Sequence, residues 1–162
     1  MNRIDKENYY LDIAETVLER STCLRKQFGA LIVRNDEIVS TGYNGAPRGR
    51  SNCIDLGYCV RDRLNIPSGE RYEVCRSVHA EINAIISAAR SECIGGTMYI
   101  VAKDAKTLEH IAQQRPCPMC SRAIINAGIS KVIIRNTKTT YDIYNVAEWI
   151  FNDDSLIDPN EA

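Results

Sequence analysis

Val78-His79-Ala80-Glu81 and, further along, Pro116-Cys117-Pro118-Met119-Cys120 are the stretches around which the chain is organised. The first reads H-x-E and the second P-C-x-x-C. One imidazole and two thiolates, His79, Cys117 and Cys120, fill three positions of a tetrahedral zinc and leave the fourth for water, the pattern of a catalytic site. Zinc lowers the pKa of such a water to roughly 7, so hydroxide is available at neutral pH. His79 precedes the apolar-periodic run Ile82, Ala84, Ile85, Ile86, Ala88 and Ala89, which predicts a helix from Val78 to about Ser91 with His79 and Glu81 in its first turn. Cys117 and Cys120 share one face at the start of a second helix running to Ala127, with Pro118 suited to its first turn and Gly128 to its end. Two helix N-termini then converge on the metal and favour thiolate and hydroxide. Glu81 is badly placed to share the ion and well placed to shuttle a proton, which makes it the candidate general acid and base. An isolated C-x-x-C serves equally as half a structural zinc knuckle or as a redox pair. With a proline before the first Cys and each half opening a helix, the joint pattern points to a catalytic zinc.

The 162 residues make one domain with room for a proper core. Hydrophobic content of 44% and charged content of 25% are ordinary for a soluble globular protein. The formal net charge of -1, with both signs scattered, argues against a dedicated nucleic-acid binder. The N-terminus is polar, and no apolar run is long enough to span a bilayer. A cytoplasmic protein is expected, with its 7 cysteines as thiols or metal ligands and not disulfides.

Ile4 to Glu19 reads as an amphipathic helix with Tyr10, Ile13, Ala14, Val17 and Leu18 on one stripe. Phe28 to Val33 and Ile38 to Tyr43 are β-rich runs separated by a hairpin signal, Arg34 to Glu37. A Gly-rich loop follows to Arg50, then a long polar loop, Asn52 to Arg76. Met98 to Ala102 and Val132 to Arg135 read as strands, Asp104 to Gln114 as a short helix, and Ile143 to Phe151 as a terminal helix before a polar tail over about 152–162. The order implies an α/β fold, a mixed sheet with helices on both faces.

Cys23, Cys53, Cys59 and Cys75 are left after the catalytic pair, with Cys93 read as core. A closed four-cysteine zinc would give the long loop a reason to be ordered. The alternative is four independent small core residues, which fits three cysteines in a polar loop poorly.

On these residues the chain resembles the deoxycytidylate deaminases of the cytidine and deoxycytidylate deaminase superfamily. The likeness rests on Gly29-Ala30-Leu31-Ile32-Val33, Thr41-Gly42-Tyr43-Asn44-Gly45, His79-Ala80-Glu81-Ile82-Asn83-Ala84, Met98-Tyr99 and the P-C-x-x-C element. It implies a three-layer α/β/α fold, hydrolysis of dCMP to dUMP and ammonia, and a homo-oligomer, often a hexamer. It also implies a sugar contact for Asn44, and dCTP or dTTP as allosteric effectors at the loop carrying Gly42, Tyr43 and Gly45. A second zinc in some relatives uses cysteines at the positions of Cys23 and Cys53. The backbone near Ala80 and Pro116 is expected to fix the base edge, and Arg25, Lys26, Arg48 and Arg50 are candidate phosphate ligands.

The sequence departs from the family in the segment Lys103 to Arg115, which intervenes before P-C-x-x-C, and in its own long loop. Two alternatives therefore stay open. One is the same chemistry on CMP, a nucleoside, a free base, a riboflavin-pathway pyrimidine or tRNA adenosine. The other is a zinc-stabilised module that binds nucleotides without turning them over.

Overall fold

A computed structural model describes residues 1–153. The polar tail expected over 152–162 falls, from 154 onward, outside the described residues. Helix α1, Lys6–Leu18, starts where the Asp5 carboxylate accepts from the backbone N–H of Asn8 at 2.6 Å. Strands β1, Lys26–Arg34, and β2, Glu37–Tyr43, pair antiparallel. Asn35 and Asp36 between them have φ of 51° and 61°, as a two-residue turn matched to strand twist requires.

Strand β3, Thr97–Asp104, pairs antiparallel with β1 and parallel with β4, Lys131–Arg135. An edge strand, β5, Tyr141–Asn145, completes the order β2-β1-β3-β4-β5. The sheet is mixed, as expected.

Alternation along the strands assigns the two faces. Leu31, Val33, Tyr99, Val101 and Ile133 meet Tyr10, Leu11, Ala14 and Leu18 of α1. Ala30, Ile32, Met98, Ile100, Val132 and Ile134 form the other core with helices α4, Ala80–Ile86, and α6, Pro118–Ala127. Among the described residues no helix is long and apolar enough to cross a membrane.

Three expectations need correction. The helix over Val78 to Ser91 is broken. The seven-residue α4 ends at Ile86 with Ser87 as its C-cap, Ala89 is extended, and a single turn, α5, Arg90–Cys93, follows. Its apolar periodicity is real, yet Ala88 and Cys93 are packed into the core on a chain that has already turned towards β3. No helix forms over Asp104 to Gln114. The Asp104 carboxylate instead accepts from the N–H groups of Lys106 and Thr107 at 2.8 and 3.0 Å, an Asx-type turn that competes with helix. Leu108 then takes a φ of 60°, and His110 comes back to bridge Lys103. The terminal helix is shorter than expected, because Ile143 to Asn145 belong to β5 and only Val146–Phe151 forms α7. In the long loop, the short helices α2, Cys53–Leu56, and α3, Val60–Arg63, and a 3₁₀ turn at Tyr72–Val74 supply order.

Arg135, at the end of β4, is fully buried. Its Nη1 donates to Asp12 at 2.8 Å and Glu15 at 3.0 Å, and its Nη2 to the Asn8 carboxamide at 3.0 Å, which locks α1 to the sheet. Removing one member of a buried ion pair strands the other charge. Arg135→Ala should therefore lower unfolding stability in urea by about 3 kcal/mol. Asp12→Ala, at a half-exposed site, should cost less than about 1 kcal/mol. Equal losses in the two variants would refute a keystone role for Arg135.

Candidate active site

The site is built from the end of β2 outward. Gly42 lies so close to α4 that a Cβ there would stand 2.3 Å from the Ala80 carbonyl oxygen and 2.4 Å from the Ala84 nitrogen. A side chain at this position would push the helix off the sheet. Gly45 exchanges backbone hydrogen bonds with Val78 at 2.7 and 3.2 Å, and Asn83 Nδ2 donates to the Tyr43 carbonyl at 2.8 Å. A Cβ on Gly45 would reach Thr22 Oγ1 at 2.7 Å. The TGYNG segment thus holds the start of α4 in place, while Tyr43 itself is exposed. Asn44 is buried and lines the cavity. Its Oδ1 accepts from Ser21 Oγ at 2.6 Å and the Phe28 N–H at 2.9 Å, and its Nδ2 donates to the Lys26 carbonyl at 2.9 Å.

His79 is the N-cap of α4 and Cys117 the N-cap of α6. Cys117 Sγ accepts from the Cys120 N–H, Pro118 opens the helix, and Gly128 closes it in the left-handed region. His79 Nδ1 lies 3.5 Å from Cys117 Sγ and 3.3 Å from Cys120 Sγ. Zinc–sulfur and zinc–nitrogen bonds of ~2.3 and ~2.05 Å at a tetrahedral angle make that edge about 3.5 Å, so the donor set fits zinc. Among the described residues this is the group of three ligands whose atoms all lie within 4.8 Å. A hydrogen bond from the Cys120 thiol, together with His79, holds Cys117 well below the ordinary thiol range. The same partnership and burial push Cys120 up. A lone pair of thiols shares one negative charge, and a cation removes the second proton.

Glu81 lines a cavity of about 310 Å³ and is 4% exposed. Burial pushes its carboxyl up. Ala80 also lines the cavity, whereas the Pro116 carbonyl accepts from Ser121 Oγ at 3.4 Å. Of the basic residues singled out by sequence, Arg25 and Lys26 line the cavity. Arg48 and Arg50 are exposed and stand outside its lining. Sequence reasoning missed Arg61, Tyr72 and Arg115, which do line it. Arg61 sits in a polar loop and reads there as one more solvated charge. The Lys103 to Arg115 excursion forms one wall, with Lys26 Nζ donating to Gln114 Oε1 at 3.2 Å. On its far side His110 pairs with Glu15.

Cys23, Cys59 and Cys75 line the wall of the same cavity, and Cys53 is buried. Burial raises the Cys53 thiol, and the nearby Cys23, Cys59 and Cys75 add to the effect. Among the described residues these four do not close to the spacing of the His79 group. All seven cysteines are free thiols.

The cytidine and deoxycytidylate deaminase zinc-binding region matches over residues 4–136. The deoxycytidylate deaminase of Mycobacterium phage D29 is 35% identical over 139 residues, which are 82% of this chain and 96% of that one. The deoxycytidylate deaminase of Schizosaccharomyces pombe is 32% identical over 78% of this chain, which spans only 36% of that longer protein. The crystal structure of dCMP deaminase from the cyanophage S-TIM5 in complex with dCMP and dUMP superposes with a TM-score of 0.56 at 28% identity, covering 83% of this chain and 85% of that one. Since the matched region includes the imidazole, both thiols and the buried carboxylate that the fold gathers at one cavity, the chain belongs to the cytidine and deoxycytidylate deaminase zinc-binding family.

Proposed function

We infer that this chain hydrolyses dCMP to dUMP and ammonia. The observation that carries the reading is a buried carboxylate, Glu81, set beside a zinc-compatible His79–Cys117–Cys120 group in a cavity with a basic rim. Zinc held by those three residues would supply Lewis-acid activation of a water for attack at C4. Glu81 is the only carboxylate buried among the described residues. It carries a proton from the attacking side to ring N3 and then to the exocyclic amine, which leaves as ammonia while oxygen stays on C4. Asn44 faces the sugar, the backbone at Ala80 fixes the base edge while the carbonyl of Pro116, outside the cavity lining, accepts from Ser121 of α6, and Arg25, Lys26, Arg61 and Arg115 offer cationic donors to the phosphate. Four cations lining one cavity favour a nucleoside monophosphate over a nucleoside or free base, and the intact Glu81 argues against a module that only binds.

Glu81→Gln should keep its zinc and lose roughly 100- to 10,000-fold in kcat. Ammonia release over dCMP, CMP, dCTP, deoxycytidine, cytosine, guanine and adenosine checks both substrate and mechanism. Activity retained by Glu81→Gln would remove the proton shuttle, and wild-type turnover on a different compound would replace dCMP.

A second, structural zinc on Cys23, Cys53, Cys59 and Cys75 remains our reading of those residues, supported by the electrostatic effect of Cys23, Cys59 and Cys75 on the buried Cys53 thiol. Metal analysis should give two zinc ions per chain, falling to one in Cys53→Ser. One ion per wild-type chain would leave those cysteines as core and wall residues.

We also propose a cytoplasmic homo-oligomer, hexameric by family likeness, with dCTP and dTTP as effectors at the loop carrying Gly42, Tyr43 and Gly45. Free thiols suit a reducing compartment. Exposed Ile143, Ile150 and Phe151 on the adjoining β5 and α7 suit burial by another copy. Sedimentation should show a hexamer, and dCTP or dTTP should shift the dCMP saturation curve less in Tyr43→Ala than in wild type. A monomer blind to both nucleotides would overturn this reading.

A further inference from the structure

One guanidinium organises the wall contributed by residues 57–76. Arg61, 5% exposed, donates from Nη2 to the carbonyl oxygens of Pro67 and Glu70 at 2.7 Å each. Those contacts fold back the stretch on which Ser68 and Gly69 reach the cavity. The same guanidinium lies 4.4 Å from the centroid of the Tyr72 ring, whose hydroxyl accepts from the Gly69 N–H at 3.1 Å. Tyr72 in turn meets the imidazole of His79 edge-on, with centroids 5.3 Å apart and planes at 86°. A continuous chain of contacts therefore runs from the loop to a metal ligand.

The chain has one open end. Arg61 Nε is buried and has no hydrogen-bond partner, in a residue that lines the cavity beside Arg25 and Lys26. The partners Arg61 does have are carbonyls, which leave its charge unneutralised. A buried guanidinium N–H without an acceptor is costly, and an anionic acceptor is the one that suits it.

We propose that Arg61 and Tyr72 are a positioning pair that ties the phosphate end of the substrate to the orientation of His79. The phosphate takes the Arg61 Nε–H, the fixed guanidinium seats Tyr72, and the ring edge of Tyr72 holds the imidazole. This rests on the reading of the substrate as a nucleoside monophosphate. Its consequence is that the phosphate acts on turnover as well as on affinity, because it sets the geometry of groups at the reacting end.

Supplying the substrate in two pieces tests the coupling. Inorganic phosphate should raise the kcat of the zinc-loaded enzyme on deoxycytidine by about tenfold, the effect of one charge-assisted contact. Tyr72→Phe, which keeps the ring edge, should retain the activation, whereas Arg61→Gln and Tyr72→Leu should lose it. Tyr72→Leu should also lower kcat on dCMP with KM nearly unchanged and zinc content intact. Independently of activity, phosphate should slow amide hydrogen exchange over residues 67–75 in wild type and not in Arg61→Gln.

Absence of phosphate activation in wild type, or activation that survives both Arg61→Gln and Tyr72→Leu, overturns the coupling. Should Arg61→Gln fail to fold, the contrast between Tyr72→Leu and Tyr72→Phe decides alone. Wild-type turnover of dCMP is read separately. Its failure refutes the substrate assignment, while the exchange measurement still reports whether phosphate meets this wall.

Discussion

Two helix N-termini must meet within one zinc radius, and the rest of the structure follows from that requirement. The parallel pairing of β3 and β4 makes it possible. Helix α4 runs into β3 and α6 into β4, so parallel strands bring both helix starts to the same end of the sheet, where the two helices pack together. An antiparallel pair at this point would have sent Cys117 to the opposite end from His79. The ladder that pairs Thr97 with Lys131 through Ile100 with Ile134 is therefore as much a part of the candidate metal site as its ligands.

A second constraint fixes how deeply α4 sits. The close approach at Gly42 and the bridge between Gly45 and Val78 set the height of His79 and Glu81 over the sheet. Asn44, between the two glycines, ties the same corner to Ser21, Lys26 and Phe28. The TGYNG segment thus carries the mechanical support of the helix that bears His79 and Glu81. On the far face, α1 is held by an apolar stripe and by the buried Arg135. Glu15 of α1 gathers Arg135, Lys103 and His110, so the helix, two strands and the excursion after β3 share one carboxylate. The hydrogen bonds and charges of Lys103 and His110 hold that carboxyl below its usual range against the effect of burial.

What was legible in the sequence was local. His79, Glu81, Cys117 and Cys120 were readable because a helix start places ligands by spacing alone, and the β1–β2 hairpin because Asn35-Asp36 suits its turn. The mixed sheet followed from the order of elements. The break after Ile86 was hidden, since Ala88 and Ala89 continue the helical period while tertiary contacts turn the chain. The excursion after β3 was misread because the competing Asx turn at Asp104 depends on a single side chain. Arg61 and Arg135 carry no sequence signal at all. Their burial comes from segments distant in the chain, and a lone arginine in a polar loop or at a strand end looks like any solvated charge.

The excursion from Lys103 to Arg115 has a consequence for how such a protein can diversify. It leaves β3 and returns to it through the Lys103–His110 bridge, both of those residues pair with Glu15 of α1, and it gives only Gln114 and Arg115 to the cavity wall. Its two ends are fixed by the sheet and by the first turn of α6, so its interior can change in length and composition while the metal ligands keep their places. A new pocket wall is then available to selection without passing through a form that has lost its chemistry. The fold separates the part that performs a reaction from the part that chooses what enters, and it does so with an ordinary loop at the end of the central strand.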